Sequence, residues 1–592
     1  MKLIIKEYLS ALKERDELDA VLPDLLSQLG LNVYSRPARG TRQDGVDVGA
    51  VGSLDGGAEK VYLFSIKPGD LTRGGWDGDS EQSLRPSLNE IIDSYIPNRL
   101  PAEHRGKDIV ICIALGGDVR EPVRSLVTGF IEKNTKDNIT FEEWNGDKLA
   151  AFIQSSFLRE ELLPDHARSH LRKSLAMLDE PDVSYRHFAQ LVQLLSTVDE
   201  LSDAQRVMSM RQMSICLWIL YGWARDAKNI EAAYRSGELT LLHAWSVAKL
   251  QAGKDNKTTR DMQAALSSIF TAYHQICSEF LRVNVLPYAD KLHAVSSAVR
   301  GSCSLDVNLK LFDILGRFGV DALWTFWGVQ RCSEDESTAR EQMLGEIQGY
   351  LEAIKALINN NPVLLLPLKD EQAIDISIAL LALVIDGGNH DFILSWLGEM
   401  LARAKFSYEA HSRYPSVLCS YTELLEHPKS RDDDYRKNAT SGSIFYPFIA
   451  LWAALLQDNQ LYSKVAQVQE LMPHCTYQLW YPDERSEDHL YKDSDAHGAM
   501  LANLSLNTSA HDYLAQVFGE CEETKHFVDL SAVKYGWWPL IIVACRHYRL
   551  PLPLHLLIGL RGQDQTDDDD ATGTGSADSV SEGPEGVLPS LG

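Results

Sequence analysis

The sequence feature that most constrains the fold is a pair of short apolar runs, residues 46–51 and 60–66, separated by a turn-rich segment. Asp47 lies near one end of the first run, and Lys67 directly follows the second. Runs of this length, bounded by glycine and aspartate, are typical of neighbouring β-strands. Because the ends of adjacent strands meet at one edge of a sheet, we expect Asp47 and Lys67 to lie close together.

Helix and strand signals alternate over the first region of the chain, to about residue 165. A helical pattern over residues 18–29 contains Pro23 and ends before Gly30. A near-continuous apolar run such as residues 109–115 predicts a strand that is buried on both faces. Further strands are predicted at residues 32–35 and 139–144, and further helices at residues 87–96, 119–133 and from 147 onward. Residues 1–165 are therefore predicted to form an α/β domain.

The rest of the chain has a different pattern. Residues 166–561 contain long apolar stretches at helical spacing and few strand signals, without a fixed repeat period, which favours an irregular all-α scaffold. Residues 562–592 carry eight carboxylates and no Lys or Arg, and they are predicted to form a disordered acidic tail.

Composition excludes several classes of function. The formal net charge of −26 argues against sequence-independent coating of DNA, so contact with nucleic acid must be confined to a local basic patch. The nine cysteines lack CxxC spacing, which argues against a structural zinc site or a disulfide framework. No apolar run is long enough for a bilayer span, and the N-terminus does not resemble a signal peptide. The chain is expected to be cytoplasmic, with no membrane contact.

Asp47 and Lys67 suit the chemistry of phosphodiester hydrolysis. That reaction needs a nucleophilic water near neutral pH and a phosphate whose negative charge is partly neutralised. Mg²⁺ or Mn²⁺ held by carboxylates supplies both, and a nearby lysine orients the water and stabilises developing charge.

Four sequence elements resemble the restriction-endonuclease-like PD-(D/E)xK superfamily, and within it the Mrr-type branch. They are the helical pattern that begins Leu18-Asp19, the run Asp44-Gly45-Val46-Asp47, the run Ser65-Ile66-Lys67, and the segment that begins Trp144-Asn145-Gly146-Asp147. The resemblance covers about a quarter of the chain. It implies a central mixed sheet flanked by helices, with Asp47 and Lys67 as catalytic residues and Asp19 in the place of a common glutamate.

Ser65 departs from the family pattern, because it stands where these sites usually have a second carboxylate. Serine is a poor Mg²⁺ ligand. Some members of the superfamily recruit an acid from the following helix instead, and here that helix carries Glu90 and Asp93. We favour Glu90 as a metal ligand and catalytic residue, with Asp93, one helical turn away, as the other candidate metal ligand. The alternative is a degenerate nuclease fold that has kept only a binding role.

Other polar residues near these motifs are secondary candidates. A set of arginines is predicted to contact phosphates, namely Arg36, Arg39, Arg42 and Arg73. Trp76 can stack on a base or pack within its own domain, and Asp70 can join the metal site or form a turn. In the helical region, residues 477–491 with His489, and His497 nearby, form either a second metal site or, as we favour, a salt-bridged loop.

The leading hypothesis is a Mg²⁺-dependent endonuclease, with DNA favoured as substrate, fused to a helical domain that restrains it. By resemblance, the setting is bacterial restriction or anti-phage defence. The helical domain is expected to bind a protein partner or to form a homo-oligomer. The competing hypothesis is a catalytically degenerate nuclease fold that acts as a nucleic-acid-binding or protein-assembly module.

Overall fold

The computed structural model describes most of the chain. The described residues are 5–6, 9–10, 12, 18–36, 43–54, 56–78, 83–156, 165–197, 202–299, 301–333, 336–493, 495, 497–502, 504–523 and 525–560. The predicted acidic tail, residues 562–592, lies outside them, as do Arg39 and Arg42. The chain divides into two compact units between Ile276 and Cys277.

The first unit contains five strands and ten helices among its described residues. The strands are β1 (Asn32–Ser35), β2 (Val48–Gly52), β3 (Lys60–Lys67), β4 (Ile109–Leu115) and β5 (Ile139–Trp144). The helices are α1 (Asp19–Gln28), α2 (Arg73–Asp77), α3 (Leu84–Glu90), α4 (Glu121–Asn134), α5 (Gly146–Ser156), α6 (Asp165–Ala176), α7 (Pro181–Ser196), α8 (Asp203–Asp226), α9 (Glu231–Ala248) and α10 (Lys257–Ser278). A π-helical segment, Ile91–Arg99, follows α3 directly.

The five strands form one mixed sheet in the order β1-β2-β3-β4-β5. The β1–β2 and β2–β3 pairs are antiparallel, whereas β3–β4 and β4–β5 are parallel. In the register, Val48 lies opposite Phe64, and Lys67 lies opposite Leu115. The prediction of an α/β region with a mixed sheet, followed by a mostly helical chain, is confirmed.

One face of the sheet carries a hydrophobic core that explains why the strands are buried. Alternate residues of β3 and β4, such as Leu63 and Ile113, are fully buried in it. Leu84 and Leu88 of α3 and Trp76 of α2 cover this face. Burial of about 1.5–3 kcal/mol per large apolar side chain stabilises this packing. The helices above this face therefore lie over the residues that end β3.

The first unit also includes the helices α6–α10, which the sequence assigns to a separate helical domain beginning at residue 166. Helices α7 and α8 both pack against α9, and α6 packs against α7. The predicted boundary between residues 165 and 166 stays a prediction. The boundary between compact units lies more than one hundred residues further along the chain.

The second unit is mainly helical. Its helices are α11 (Ala294–Ala298), α12 (Ser304–Arg331), α13 (Ser337–Asn360), α14 (Ala373–Leu383), α15 (His390–Glu409), α16 (Tyr421–Glu426), α17 (Asp433–Ala439), α18 (Phe445–Leu455), α19 (Asn459–Leu471), α20 (Ser486–His489), α21 (Ala510–Glu523), α22 (His526–Asp529), α23 (Ser531–Lys534) and α24 (Pro539–Tyr548). Its strands are only two or three residues long, namely β6 (Gly442–Ser443), β7 (Thr476–Tyr477), β8 (Leu479–Tyr481) and β9 (Ala499–Leu501).

The long helix α12 packs against α13, α14 and α24. Asp375 of α14 is 2% exposed and accepts a hydrogen bond from Arg549 at 2.9 Å, so the buried carboxylate has a partner. Across the described parts of both units, no helix has both the length and the apolarity needed to cross a bilayer.

Candidate functional site

Asp47 is anchored to strand β3 beside the residues that the sequence singles out. Its backbone N–H donates to the carbonyl of Phe64 at 2.8 Å, and its Oδ2 accepts from the N–H of Ile66 at 2.7 Å. The carboxylate therefore lies at the β3 backbone between Ser65 and Lys67. The expected meeting of Asp47 with the end of β3 is present in the structure.

The turn that precedes Asp47 is held on two sides. Asp44 and Gly45 both have positive φ, at 47° and 81°. A Cβ on Gly45 would lie 2.1 Å from the carbonyl oxygen of Ser87 in α3, so only glycine fits this close approach. Asp44 pairs with Nε of Arg99 at 2.8 Å. This turn thus positions Asp47 through contacts with α3 and the π-helical segment.

Ser65 and Lys67 lie on the same face of β3, because side chains two residues apart in a strand point the same way. It is the face that α3 covers, since Val61 and Leu63 share a core with Leu88. Ser65 is fully buried, and its Oγ has no hydrogen-bond partner within the described chain. A buried hydroxyl without a partner costs free energy.

Helix α3 carries Glu90 at its C-terminal end. The helix packs on β3, and its Ser87 contacts the turn that leads to Asp47. Glu90 is the last residue of α3 and is half-buried, whereas Asp93 lies in the π-helical segment and is exposed. Segments of π-helix occur frequently at functional sites, because the wider turn changes the direction of the side chains that follow. Glu90 therefore remains the favoured carboxylate.

The donor chemistry of these residues fits a hard divalent cation. Asp47 and Glu90 offer carboxylate oxygens, the ligand type that Mg²⁺ prefers. Asp47 binds the β3 backbone through one oxygen, Oδ2. The residues present are thus compatible with a Mg²⁺ held by few protein ligands and several waters, which is the usual Mg²⁺ arrangement.

Two neighbouring candidate residues have structural roles. Asp70 accepts from the N–H of Asp118 at 2.8 Å and from Nε of Arg120 at 2.9 Å. The Asp118 N–H, together with Arg120, holds the pKa of Asp70 below its usual value.

Trp76 is 2% exposed and packs edge-on against Phe130, so it is part of the core and is not placed to stack on a base.

The predicted phosphate-contacting arginines are on different elements. Arg73 is exposed at the first position of α2. Arg36 follows β1 and lines a cavity with residues of α8 and α10. Arg39 and Arg42 lie outside the described residues. Asp19 is the first residue of α1, a helix that packs on β1 and α5.

Among the described residues, a group of three potential metal ligands lies in the second unit. His489, Asp493 and Asp495 place one ligand atom each within 4.8 Å of one another. His489 Nδ1 lies 3.1 Å from Asp493 Oδ1, and His497 stacks on the His489 ring. His497 Nδ1 lies 3.0 Å from Ser486 Oγ. These contacts fit the favoured salt-bridged loop.

Sequence reasoning missed two features of the first unit. One is the pair formed by Asp44 and Arg99, which are 55 positions apart in the sequence. The other is the polar cavity, whose residues range from Asp24 to Thr271. A signal for the cavity exists in the sequence, since polar residues recur along one face of α10 at the spacing of helical neighbours.

Comparison with known proteins identifies no relative of this chain. No family model matches it, no curated protein has a significant match to it, and no solved structure matches it significantly.

Proposed function

We propose that the first unit is a Mg²⁺-dependent endonuclease that hydrolyses phosphodiester bonds of nucleic acid, with DNA as the favoured substrate. The observation that carries the proposal is the position of Asp47, whose carboxylate binds the β3 backbone between Ser65 and Lys67. The packing of α3 against the same strand and the same turn supports Glu90 as the second acid.

Each residue has a distinct role in this proposal. Asp47 and Glu90 hold the Mg²⁺, which supplies a more acidic bound water and neutralises charge on the phosphate. Lys67 places its ammonium group at the end of β3, where it orients the attacking water and stabilises the charge that develops on the phosphate. The Asp44–Gly45 turn positions Asp47. Arg73 is exposed and can contact a phosphate that flanks the cleaved bond.

Control by the helical part of the chain belongs to the same proposal. An intracellular nuclease must be restrained, since unrestricted cleavage damages the host genome. Bacterial restriction or anti-phage defence is the setting that the family resemblance suggests, with a protein partner or self-assembly as the source of control.

The experiment that tests the proposal is a cleavage assay with the full chain on plasmid DNA, single-stranded DNA and RNA, in Mg²⁺, Mn²⁺ or EDTA. Asp47→Asn and Lys67→Met should each lower the cleavage rate by about 100-fold or more, because each removes a charge required at the reacting phosphate. Lys60→Met is the matched control for Lys67, since Lys60 begins the strand that Lys67 ends. Metal-dependent cleavage that persists unchanged in Asp47→Asn and Lys67→Met would exclude this site.

A matched pair also tests the second acid. Glu90→Gln should reduce metal-dependent cleavage by about 100-fold, whereas Asp93→Asn should leave it near the wild-type rate because Asp93 is exposed. The reverse ranking would assign the ligand role to Asp93.

A second candidate function rests on Ser65. Its complete burial, where the family usually has an acid, favours a nuclease fold that binds nucleic acid or assembles with protein without cleavage. In that case wild-type protein retards DNA or RNA in a gel-shift assay in EDTA, shows no metal-dependent cleavage, and is unaffected by Glu90→Gln.

A further inference from the structure

The first unit contains a large cavity away from the residues that end β3. Its volume is about 1180 Å³, somewhat above the range of about 300–1,000 Å³ that small-molecule sites occupy. Helix α1, the segment from Gly30 to Arg36, Arg211 of α8 and one face of α10 line it. All of these lie within the first compact unit.

Cationic side chains dominate the charged lining. Four cations, Arg36, Arg211, Lys257 and Arg260, face two carboxylates, Asp24 and Asp261. This local excess of positive charge occurs in a chain whose formal net charge is −26. A cavity that concentrates cations within an acidic protein attracts anions locally, since its walls focus the field.

Helix α10 turns a polar face toward this cavity. Its lining residues follow one face of the helix, namely Lys257, Arg260, Asp261, Ala264, Ser267, Ser268 and Thr271. The opposite face carries buried apolar residues such as Met262, Ala265 and Ile269. Thr271 donates to the carbonyl of Ser267 at 2.9 Å, and Ser268 pairs with Ser214 at 2.8 Å. The exposed Ser267 hydroxyl can donate a hydrogen bond to a phosphate or sugar oxygen.

The inner end of the cavity holds buried polar atoms without partners. Arg211 is 8% exposed, donates to Gln28 Oε1 at 3.1 Å and lies 3.5 Å from Asp261. Its Nε has no hydrogen-bond partner within the described chain. Asp24 is 6% exposed and its Oδ2 likewise has no hydrogen-bond partner there. A buried guanidinium N–H without an acceptor is costly unless a ligand or water completes it.

We propose that this cavity binds a nucleotide-sized phosphate ester, with Arg211 at its base and Lys257 and Arg260 at its mouth. Lys257 and Arg260 are exposed, and so is Arg36. The guanidinium groups suit phosphate because their N–H donors match its oxygens in pairs. The Asp24 carboxylate is an acceptor for an N–H or hydroxyl group on the remainder of the ligand. The ester is either part of a free nucleotide or part of a nucleic-acid strand.

The test is isothermal titration calorimetry of the full chain with ATP, GTP, CTP and UTP in turn, and with a short single-stranded DNA. EDTA is present throughout, so that metal-dependent cleavage does not contribute. At least one probe should bind saturably, and the double variant Lys257→Glu/Arg260→Glu should weaken that binding by about tenfold or more. The matched control is Arg172→Glu/Lys173→Glu, an equal charge reversal at two exposed residues of α6 that do not line the cavity.

Each outcome has a defined meaning. If a nucleoside triphosphate binds and the Lys257→Glu/Arg260→Glu variant binds it more weakly, the ligand is a free nucleotide. If only the single-stranded DNA binds and the same variant weakens that binding, the ligand is a phosphate of a nucleic-acid strand. Absence of binding by all five probes, or an equal loss in the control variant, overturns the proposal. Asp47→Asn should leave the binding unchanged, so failure of the proposed nuclease site and failure of this cavity are distinguishable.

Discussion

The sheet edge at Asp47 and the cavity at Arg211 present opposite chemistry within one compact unit. At the sheet edge, the Asp47 carboxylate accepts a hydrogen bond from the backbone of β3, the strand that Lys67 ends, and the proposed nuclease would hold a metal cation there. In the cavity, four cations face two carboxylates, an arrangement that suits a phosphate directly. The comparison teaches that an acidic chain can concentrate positive charge locally where tertiary packing collects residues from distant helices.

The two regions also differ in how their residues are held. Asp47 is held by backbone hydrogen bonds and by a turn with no space for a side chain at Gly45. The mouth of the cavity is formed by exposed, flexible side chains such as Lys257 and Arg260. Substitutions at the sheet edge should therefore lower the stability of the fold, whereas substitutions at the cavity mouth should lower the affinity for a ligand.

The largest expected effect is a loss of stability at the sheet edge, where the Asp44–Gly45 turn packs closely against α3. Gly45→Ala should lower the free energy of unfolding of the first unit by about 3 kcal/mol or more, because its Cβ would overlap the Ser87 carbonyl. Gly56→Ala is the control, since Gly56 also has positive φ (73°) but nothing lies near its Cβ position. That change should cost only about 1 kcal/mol. Urea unfolding measures both, and equal losses would refute the close approach.

The next effect is a pH dependence of the free energy of unfolding, caused by Asp24 in the cavity. Burial raises the pKa of Asp24 to about 6, although Arg211 and Arg36 act to lower it and Asp261 acts to raise it. Since the unfolded carboxyl ionises near its ordinary pKa, the stability contributed by protonated Asp24 is present below about pH 4 and is lost as pH rises through about 6. Asp24→Asn should therefore gain about 1–3 kcal/mol relative to wild type at pH 8, and no gain at pH 3.5.

Unfolding at several pH values checks this dependence, with exposed Asp255→Asn as the control. A gain that is the same at all pH values would show that Asp24 ionises in the folded protein as it does in the unfolded chain. The base of the cavity would then be more polar than the burial of Asp24 implies.

The smallest effect concerns the ion pair that holds the turn before Asp47. Arg99→Ala should cost about 1 kcal/mol, because the side chain of Asp44 is only 11% exposed and loses its partner. Arg85→Ala removes a pair of the same 2.8 Å length, to Asp77, in which both side chains are about half exposed. Its cost should be below about 0.5 kcal/mol. Thermal unfolding compares the two variants, and a larger loss for Arg85→Ala would contradict the positioning role of Arg99.

Most of the fold was predictable because its signals are local. The apolar run at residues 109–115 corresponds to β4 (Ile109–Leu115), and the predicted strand at residues 139–144 corresponds to β5 (Ile139–Trp144). The helix predicted at residues 87–96 was less accurate. It begins at Leu84 and changes to π-helical geometry after Glu90, a change that periodicity alone does not reveal.

The sequence by itself determined the pairing of Asp47 with the end of β3, because neighbouring strands joined by a short turn leave few alternative registers. Only the tertiary structure decided that α3 packs on that turn and that Ser65 is fully buried. It alone brought Arg36 and Arg211 to the cavity beside α10, because Arg36 is more than a hundred positions from both Arg211 and α10 in the sequence.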